Sequence, residues 1–410
     1  MTRILVVSEL FWPEGGGAEL ATYLILQILA NHGFELTVVT GTKQPAKIPG
    51  VKYHITPFLK PTNRVVLWTQ MKTMAASSHF RRLLEGHDIL YIPSAAYPLV
   101  PLAKKAGLRI IVHFHNYMPI RYHGIKYYFE PDIVTPYNEL TQAIMHEYHI
   151  RKNLSRTLLS PVSYALYILS KDLIKQADTI ICVSKRQAEL IVKNMPQIRN
   201  KIKVIYNPPP PQLLTEEPKK VFADVPTFLY VGGDSYVKGF YLVIHIIRLL
   251  AKQNIKAKFI LTNNRSQKSI QLLEAVSRIG SVEVEVKGRI DYAELLTLQR
   301  RAWALLFPSI WEEPLPYAVV EAMLSATVPI GFKMGGLREL LEDTPAEDFL
   351  AMPGQVEQLM SSITRLMAHL REDIANIGLT LRKRALQIFN IKRLKERILK
   401  TFHVDESPIN

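Results

Sequence analysis

Short, wholly apolar segments alternate with longer amphipathic ones along most of this chain. In the first part, Ile4–Val7, Leu36–Thr40 and Arg109–His113 have the character of strands, and Ala18–Asn31 has that of a helix. Strands without polar alternation are typical of parallel sheets that are covered by helices on both faces. The pattern therefore predicts an α/β fold built on parallel sheets.

A proline run interrupts this alternation. Residues 208–211 are all proline, and a charged stretch follows them. Such a run cannot continue a helix or a central strand, so we expect a stiff linker. A second series of predicted strands comes after it: Phe228–Val231, Lys258–Thr262, Val282–Val286, Ala304–Phe307 and Val328–Gly331. A chain of 410 residues also suits two domains of about 200 residues each.

We therefore predict two Rossmann-like domains, at residues 1–207 and 208–378. Ligands of this architecture bind at the carboxyl ends of the strands, and two such sheets leave a cleft there. Residues 117–176 lack clear strands and are predicted to be helical. Further helices are expected at about 355–371 and 379–400.

Composition restricts the cellular setting. The single cysteine, Cys182, lies in an apolar strand-like run and is predicted to be a buried thiol. No disulfide can form within one chain, which suits a reducing compartment. The N-terminus does not read as a signal peptide, and no apolar run approaches the roughly 18 residues that span a bilayer. We expect a cytoplasmic protein, either soluble or peripheral on the inner face of a membrane.

The positive charge is concentrated in the first half. Residues 1–207 hold 25 Lys and Arg against 13 Asp and Glu, whereas the remainder holds 26 against 23. An anionic membrane surface or a phosphorylated substrate would match this charge. Nucleic acid is not expected as a partner, because the sequence has neither zinc-ligand spacing nor an RNA-binding signature.

The most informative motif runs from Pro308 to Met323. An apolar strand precedes it, and Pro316 suits the first turn of a helix. The N-terminus of that helix would offer backbone N–H groups and a positive dipole end to a phosphate. Glu313 and Glu321 bracket the helix start, where two carboxylates can accept hydrogen bonds from hydroxyls on either side of a pyrophosphate.

This segment, with its Gly335-Gly336-Leu337-Arg338-Glu339 continuation, resembles the E-x7-E region of retaining GT-B glycosyltransferases of the family 4 type. The resemblance covers most of the chain and is weakest from 117 to 176. Other segments that resemble the family sequence are Phe11–Glu19, Ala177–Ser184, Ile205–Pro208 and Tyr230–Gly239. It implies two Rossmann-like domains that face each other across a cleft, with a C-terminal helix at 379–410 that crosses back to the first domain.

The resemblance also implies roles for residues of the second domain. Glu313 would contact hydroxyls of the donor sugar, and Glu321 would bind the ribose. Lys238 would neutralise the diphosphate, and the backbone amides of Leu315 and Tyr317 would hold it. The remaining donor-binding residues that it implies are Gly232, Gly233, Arg289 and Glu339.

In the first domain, the resemblance places His115 at the end of a strand, facing the reacting carbon. His113 is expected to be an inward-facing structural residue instead. Gly16 and Gly17 lack side chains and would let the backbone approach the ligand closely.

Two positions depart from the family pattern. Gly233 is followed by Asp234 and Ser235 rather than by the usual arginine, and Pro316 stands where glycine is common. Arg289 or Arg338 would then supply the missing charge. The sequence has no Asp-x-Asp, so no metal is expected, and no cofactor besides the nucleotide-sugar co-substrate. Lys238, the backbone amides and the helix dipole would then stabilise the negative charge of the diphosphate.

The sequence leaves the acceptor open between a soluble saccharide and a lipid-linked one, such as a cell-envelope glycan precursor. A lipid-linked acceptor would suit an anionic membrane surface that contacts aromatic and basic side chains of the first half. That predicted cluster contains Trp68, Tyr117, Tyr122, Tyr127, Tyr128 and Phe129 with Arg64, Lys72, Arg81, Arg82, Arg121 and Lys126.

Other functions compete with transfer. A nicotinamide-dependent dehydrogenase would need a G-x-G-x-x-G turn directly after the first strand, which this sequence does not have. A nucleotide-sugar epimerase of the same architecture and a catalytically silent nucleotide-sugar-binding protein remain as alternatives to a hexosyltransferase.

Overall fold

The computed structural model describes residues 2–60, 63–150, 152–215 and 217–403, without the side chains of residues 149 and 150. The chain forms two compact units. The first comprises the described parts of residues 1–126, 130–208 and 391–410, and the second comprises Tyr127–Phe129 and Pro209–Asn390.

A parallel sheet forms the centre of the first unit. Its strands, in chain order, are β1 (Arg3–Ser8), β2 (Glu35–Thr40), β3 (Lys52–Ile55), β4 (Ile89–Ile92), β5 (Arg109–Phe114), β6 (Thr179–Cys182) and β7 (Ile202–Val204). They lie in the order β3-β2-β1-β4-β5-β6-β7. The inner strands are buried almost completely, including Cys182. This burial agrees with their apolar sequences, because helices cover both faces of such a sheet.

Helices of the first unit before the proline run are α1 (Gly17–Ala30), α2 (Arg64–Ala76), α3 (Ser78–Glu85), α4 (Val100–Lys105), α5 (Pro136–Met145), α6 (Leu154–Leu158), α7 (Ser160–Lys175) and α8 (Lys185–Asn194). The region 117–176 is therefore largely helical from α5 onward, with a π-helical turn at His146–Ile150.

The second unit repeats the architecture. Its strands are β8 (Thr227–Tyr230), β9 (Ala257–Leu261), β10 (Val282–Val286), β11 (Ala304–Phe307), β12 (Val328–Phe332) and β13 (Leu350–Ala351), in the parallel order β10-β9-β8-β11-β12-β13. Its helices are α9 (Pro211–Thr215), α10 (Phe240–Lys252), α11 (Gln267–Ser277), α12 (Tyr292–Arg301), α13 (Tyr317–Leu324), α14 (Gly335–Leu341), α15 (Val356–Ala368) and α16 (Arg371–Ile388). Two Rossmann-like parallel sheets confirm the predicted fold class.

The predicted helix at 379–400 is two helices that belong to different units. Helix α16 packs in the second unit, where Gly378 lies against the backbone of Ala326 and Arg382 donates to the carbonyl of Leu213. The second helix, α17 (Ile391–Phe402), buries Ile398 and Phe402 in the core of the first unit beside α1. The chain passes between the units at residues 389–390.

Other differences concern short elements. Strand β3 lies at the sheet edge and is half-exposed, so its sequence shows no apolar run. Strand β7 is short and lies at the opposite edge of the same sheet. The predicted proline linker is not an exposed spacer, because residues 207–210 are buried and Pro211 begins α9.

The predicted membrane-facing cluster is wrong for half of its twelve residues, because their side chains are buried inside the protein. Trp68, Tyr117 and Tyr122 are buried in the first unit, and Tyr127 is buried in the second. Arg121 is also fully buried, where its charge is compensated by two carboxylates. Buried charges require such pairing.

The compensating carboxylates come from the same stretch of chain. Arg121 lies 3.6 Å from Glu130 and 3.4 Å from Glu139, and buried Lys126 lies 3.4 Å from Asp132. Basic residues that looked like surface charge in the sequence therefore stabilise the loop before α5. Of the predicted cluster, Phe129, Tyr128, Lys72, Arg81 and Arg82 are exposed. Across the described ranges, no helix is both long and apolar enough to cross a bilayer.

Candidate active site

Glu313 and Lys238 form an ion pair in the second unit. Glu313 lies in the loop between β11 and α13 and is only 9% exposed. Its Oε1 atom is 2.5 Å from Lys238 Nζ and accepts a hydrogen bond from Ser309 Oγ at 3.2 Å. Lys238 keeps a third of its side chain exposed. A fixed carboxylate and an accessible ammonium group thus stand side by side, as the sequence motifs require.

The turn that presents Lys238 depends on Gly239. Lys238 ends a 3₁₀ turn, and Gly239 then adopts φ of +78° before α10 begins. A Cβ atom at Gly239 would lie 2.0 Å from the carbonyl oxygen of Pro308. Only glycine tolerates both this left-handed conformation and the backbone contact. The Lys-Gly pair therefore holds the lysine loop directly against the loop of Glu313.

Gly335 and Gly336, which follow the motif in sequence, pack against the backbone of the loop that carries Glu313. The Gly336 N–H donates to the Glu313 carbonyl at 2.7 Å. A Cβ atom at Gly335 would lie 2.7 Å from the same oxygen, and one at Gly336 would lie 2.5 Å from the carbonyl of Pro314. This part of the motif thus fixes the backbone of the Glu313 loop, which the sequence alone did not explain.

Glu321 occupies a different environment, on α13 and 7% exposed. Burial raises the pKa of its carboxyl to about 7, and the nearby hydroxyl of Tyr292 offsets part of that effect. The group is therefore near half-ionised at neutral pH. A ligand that donates hydrogen bonds to it would favour the charged form.

The N-terminus of α13 differs slightly from the prediction. Pro316 is the N-cap and the helix begins at Tyr317, so the proline precedes the first turn. Its carbonyl accepts from the N–H groups of both Val319 and Val320. Among the described side chains none caps this terminus. Leu315 and Tyr317 flank the cap, where the resemblance places the phosphate-binding amides.

The glycine turn after β8 is tightly packed. A Cβ atom at Gly232 would lie 2.3 Å from the hydroxyl of Tyr230, and Gly233 has a φ of +64°. Asp234, which replaces the family arginine, accepts from the Ser266 N–H at 2.8 Å and from Ser269 Oγ at 3.0 Å. These hydrogen bonds lower the pKa of its carboxyl. Asp234 therefore anchors Ser266, the N-cap residue of α11, and its carboxylate is engaged within the fold.

Arg265 lies beside the same turn and was not predicted from the sequence. Its guanidinium donates to the carbonyls of Thr262 at 2.7 Å and Asn263 at 2.8 Å, and burial lowers its pKa. No motif marked it, because its position depends on where β9 ends. Of the predicted substitutes for the family arginine, Arg289 is exposed and Arg338 pairs with Glu342 at 3.6 Å. Glu339 is half-buried on α14.

Two histidines lie at the end of β5 in the first unit. His113 is buried with its Nδ1 2.8 Å from the Tyr91 hydroxyl, which fits the structural role expected for it. The His115 ring lies 4.0 Å from that of His113, and neither of its ring nitrogens has a hydrogen-bond partner among the described residues. Burial lowers the pKa of His115 to about 3, so its imidazole is neutral at physiological pH.

The glycine loop before α1 is exposed. Gly16 donates its N–H to the Glu19 carboxylate at 2.7 Å, and Gly17 begins the helix. The left-handed residue is Gly15, with a φ of +90°, whereas a Cβ atom at Gly16 would meet open space. Close approach of a ligand to Gly16 is thus sterically available.

Two family models match consecutive parts of this chain. The model described as Glycosyltransferase Family 4 matches residues 15–212, and the one described as Glycosyl transferases group 1 matches residues 215–378. The two models meet at the proline run. Their boundary falls beside the division between the two units.

Similar proteins include a curated relative and many solved structures. The gpi3 subunit of phosphatidylinositol N-acetylglucosaminyltransferase from Schizosaccharomyces pombe is 24% identical over 89% of this chain and 73% of its own length. Anabaena HepE, solved with UDP and glucose, shares 17% identity with a TM-score of 0.69, covering 98% of this chain and 99% of HepE. Sucrose-phosphate synthase from Thermosynechococcus elongatus shares 16% identity with a TM-score of 0.72, covering 98% of each chain.

Proposed function

Because the chain belongs to the glycosyltransferases of group 1 and family 4, we propose that it transfers a sugar from a nucleotide-diphosphate sugar to an acceptor hydroxyl. Transfer proceeds with retention of configuration and without a metal ion. The observation that carries this proposal is the Lys238–Glu313 pair beside the N-terminus of α13, which no side chain in the described part of the chain caps.

The second unit binds the donor. Lys238 lies where it can turn from Glu313 to a diphosphate oxygen, and the N–H groups at the start of α13 add the positive end of the helix dipole. These groups stabilise the negative charge that develops on the departing nucleotide diphosphate. Charge stabilisation in a preorganised site commonly contributes most of the rate enhancement in such catalysis.

Two carboxylates then orient the donor. Glu313, freed from part of its pairing with Lys238, accepts hydrogen bonds from hydroxyls of the sugar. Glu321 accepts from the ribose hydroxyls, and these donors favour its ionised form despite the burial that raises its pKa. The acceptor hydroxyl forms a bond to the anomeric carbon as the bond to the diphosphate breaks on the same face of the sugar, and the hydroxyl proton passes to the departing diphosphate oxygen.

His115 contributes from the first unit. Its neutral imidazole and its two unpartnered ring nitrogens, judged over the described residues, suit a hydrogen bond to a sugar hydroxyl. A charged imidazolium at this position would instead oppose the positive charge that builds on the anomeric carbon.

We propose a lipid-linked acceptor presented at the inner face of a membrane, so that the protein is cytoplasmic and peripheral. The fission yeast relative is named for transfer to phosphatidylinositol, which supports an acceptor of this class. The excess of basic residues in residues 1–207 suits an anionic surface.

A donor screen tests the proposal. Thermal shift with UDP-, GDP- and ADP-sugars identifies the donor, and nucleotide-diphosphate release is then measured with and without acceptor, in the presence of a chelator. Lys238→Ala and Glu313→Gln are each expected to lower kcat by about 10²–10³, equivalent to about 2.7–4 kcal/mol of lost charge stabilisation. The matched controls Lys252→Ala and Glu274→Gln change exposed residues of the same unit and should retain activity.

Full activity in folded Lys238→Ala and Glu313→Gln variants would refute the assignment of these residues. Donor binding without any acceptor-dependent turnover would instead indicate a silent nucleotide-sugar-binding protein. Loss of activity on chelation would refute metal-independent transfer. Anomeric configuration of the product, read by NMR, tests retention.

A further inference from the structure

A cavity of about 200 Å³ lies within the first unit, among α2, α6, α7 and the loops that follow β4 and β5. Its polar and aromatic lining includes Arg64, Trp68, Tyr97, His123, Glu147 and Arg156. A smaller cavity shares Arg64, Glu147 and Arg156 with it. At roughly 30 Å³ per water, the larger cavity has room for a phosphate group with part of its substituent.

Arg64 is the central charge of this cavity. Its Nη2 donates to the Tyr122 carbonyl at 2.6 Å, and its guanidinium lies 4.6 Å from the Tyr122 ring and 5.4 Å from that of Tyr167. Its Nη1 is buried and has no hydrogen-bond partner within the described part of the chain. A buried donor of this kind is costly unless a ligand satisfies it.

The carboxylates nearby do not neutralise Arg64. Glu139 accepts from Arg121 at 3.4 Å and from the Tyr122 N–H at 2.8 Å, so its oxygens are engaged elsewhere. Glu147 pairs with Arg156 at 3.5 Å, which balances the second arginine. The charged groups that line the cavity therefore sum to a positive charge, and burial lowers the pKa of Arg64, as expected for a cation short of a counter-ion.

Exposed apolar side chains lie on the side of α6 opposite to Arg156 and at the junction of α6 with α7. Leu154 and Leu158 are 66% and 73% exposed and share one face of α6, four residues apart. Leu159, which lines the smaller cavity, and Val162 on α7 are 45% and 51% exposed. Leu159 joins this exposed apolar surface to the arginine cavity, and the combination matches a ligand with an anionic head and an apolar tail.

We propose that the Arg64–Arg156 cavity binds the phosphate of the acceptor lipid, while the leucines of α6 and the start of α7 contact its acyl region. This assignment rests on the proposed transferase function and specifies how the acceptor is recognised. Arg64 Nη1 donates a hydrogen bond to the phosphate. Arg156 also donates to the phosphate and keeps only part of its pairing with Glu147. Arginine suits this task because its planar fork matches phosphate oxygens.

Calorimetric titration tests the cavity, with short-chain phosphatidylinositol and with inorganic phosphate as separate probes. Arg64→Gln and Arg156→Gln are each expected to weaken the binding of short-chain phosphatidylinositol by roughly tenfold or more, because each removes a charge-assisted hydrogen bond. The control Arg81→Gln removes an exposed charge from α3 and should leave binding unchanged. Arg156→Gln keeps the test decisive if Arg64→Gln impairs folding, because Arg156 is partly exposed.

Vesicle sedimentation tests the lipid contact, with phosphatidylcholine vesicles that lack or contain phosphatidylinositol. The double variant Leu154→Ser/Leu158→Ser is expected to lose most vesicle binding while it retains affinity for inorganic phosphate. Leu370→Ser, which changes a leucine of the second unit that is 72% exposed, is the matched control.

Unchanged phosphatidylinositol affinity in both arginine variants would overturn the phosphate site. Equal affinity for inorganic phosphate and the lipid, with no effect of the leucine variants, would overturn the lipid contact. A dimer that is abolished by the leucine substitutions in sedimentation velocity would also overturn it. Donor binding to the second unit is measured separately, so a protein that binds phosphatidylinositol but no nucleotide sugar refutes the proposed function alone.

Discussion

Replacing Glu321 by glutamine should reveal the cost of a buried carboxylate. Its pKa is raised from 4.5 to about 7 in the folded protein by burial. Between these values the folded state holds more protons than the unfolded state, so stability falls as pH rises through this window. At 1.36 kcal/mol per pH unit, the interval between the two pKa values corresponds to roughly 3 kcal/mol of unfolding free energy that is lost above pH 7.

Glutamine keeps the size of the side chain but cannot ionise. We therefore expect Glu321→Gln to gain about 2–3 kcal/mol relative to the wild type between about pH 5 and about pH 8. For a unit of this size, that gain raises its melting temperature by roughly 5–10 °C more at the higher pH. The gain should disappear in saturating donor, because ribose hydroxyls then stabilise the ionised glutamate.

Scanning calorimetry of both proteins at the two pH values measures this difference. Glu274→Gln provides the control, because Glu274 is exposed on α11 of the same unit. A difference in melting temperature between wild type and Glu321→Gln that is the same at both pH values would refute the expectation. In that case the carboxyl of Glu321 would titrate at an ordinary pKa.

The described geometry supports three further predictions. Affinity for the nucleotide sugar that the donor screen identifies should rise from about pH 5.5 to about pH 8 as Glu321 ionises. Binding should release protons, which calorimetry in buffers of different ionisation enthalpy detects, and Glu321→Gln should remove both effects. Gly239→Ala should lower the unfolding free energy measured in urea by about 2–4 kcal/mol, because its Cβ atom would lie 2.0 Å from the Pro308 carbonyl oxygen. The control Gly50→Ala has a φ of +77° but open space around the new Cβ atom, so it measures backbone strain alone and should cost about 1 kcal/mol. His115 should remain neutral from about pH 5 to about pH 8 in ¹⁵N NMR spectra, and a titration in that range would contradict the pKa of about 3 that burial gives it.

Much of the architecture could be predicted because its signals are local. Apolar strands such as Ile4–Val7 and amphipathic helices such as Ala18–Asn31 carry their period in the sequence, so both parallel sheets were anticipated. Edge strand β3 was missed, since a half-exposed strand has no apolar run. The single helix expected at 379–400 is two helices, α16 and α17, because the apolar residues of α16 pack in the core of the second unit and those of α17 pack in the core of the first.

The sequence by itself determined the two parallel-sheet units, the motif that contains Glu313 and Glu321, and the separate segment that contains Lys238. These features depend on residue type and spacing along the chain, which the sequence contains in full. Only the tertiary structure decided that Glu321 is buried enough to raise its pKa and that Asp234 binds Ser266, the N-cap residue of α11. It also showed that Arg121, expected at a membrane surface, lies inside between two carboxylates. Burial and charge compensation depend on groups that are distant in sequence, and folding alone brings those groups together.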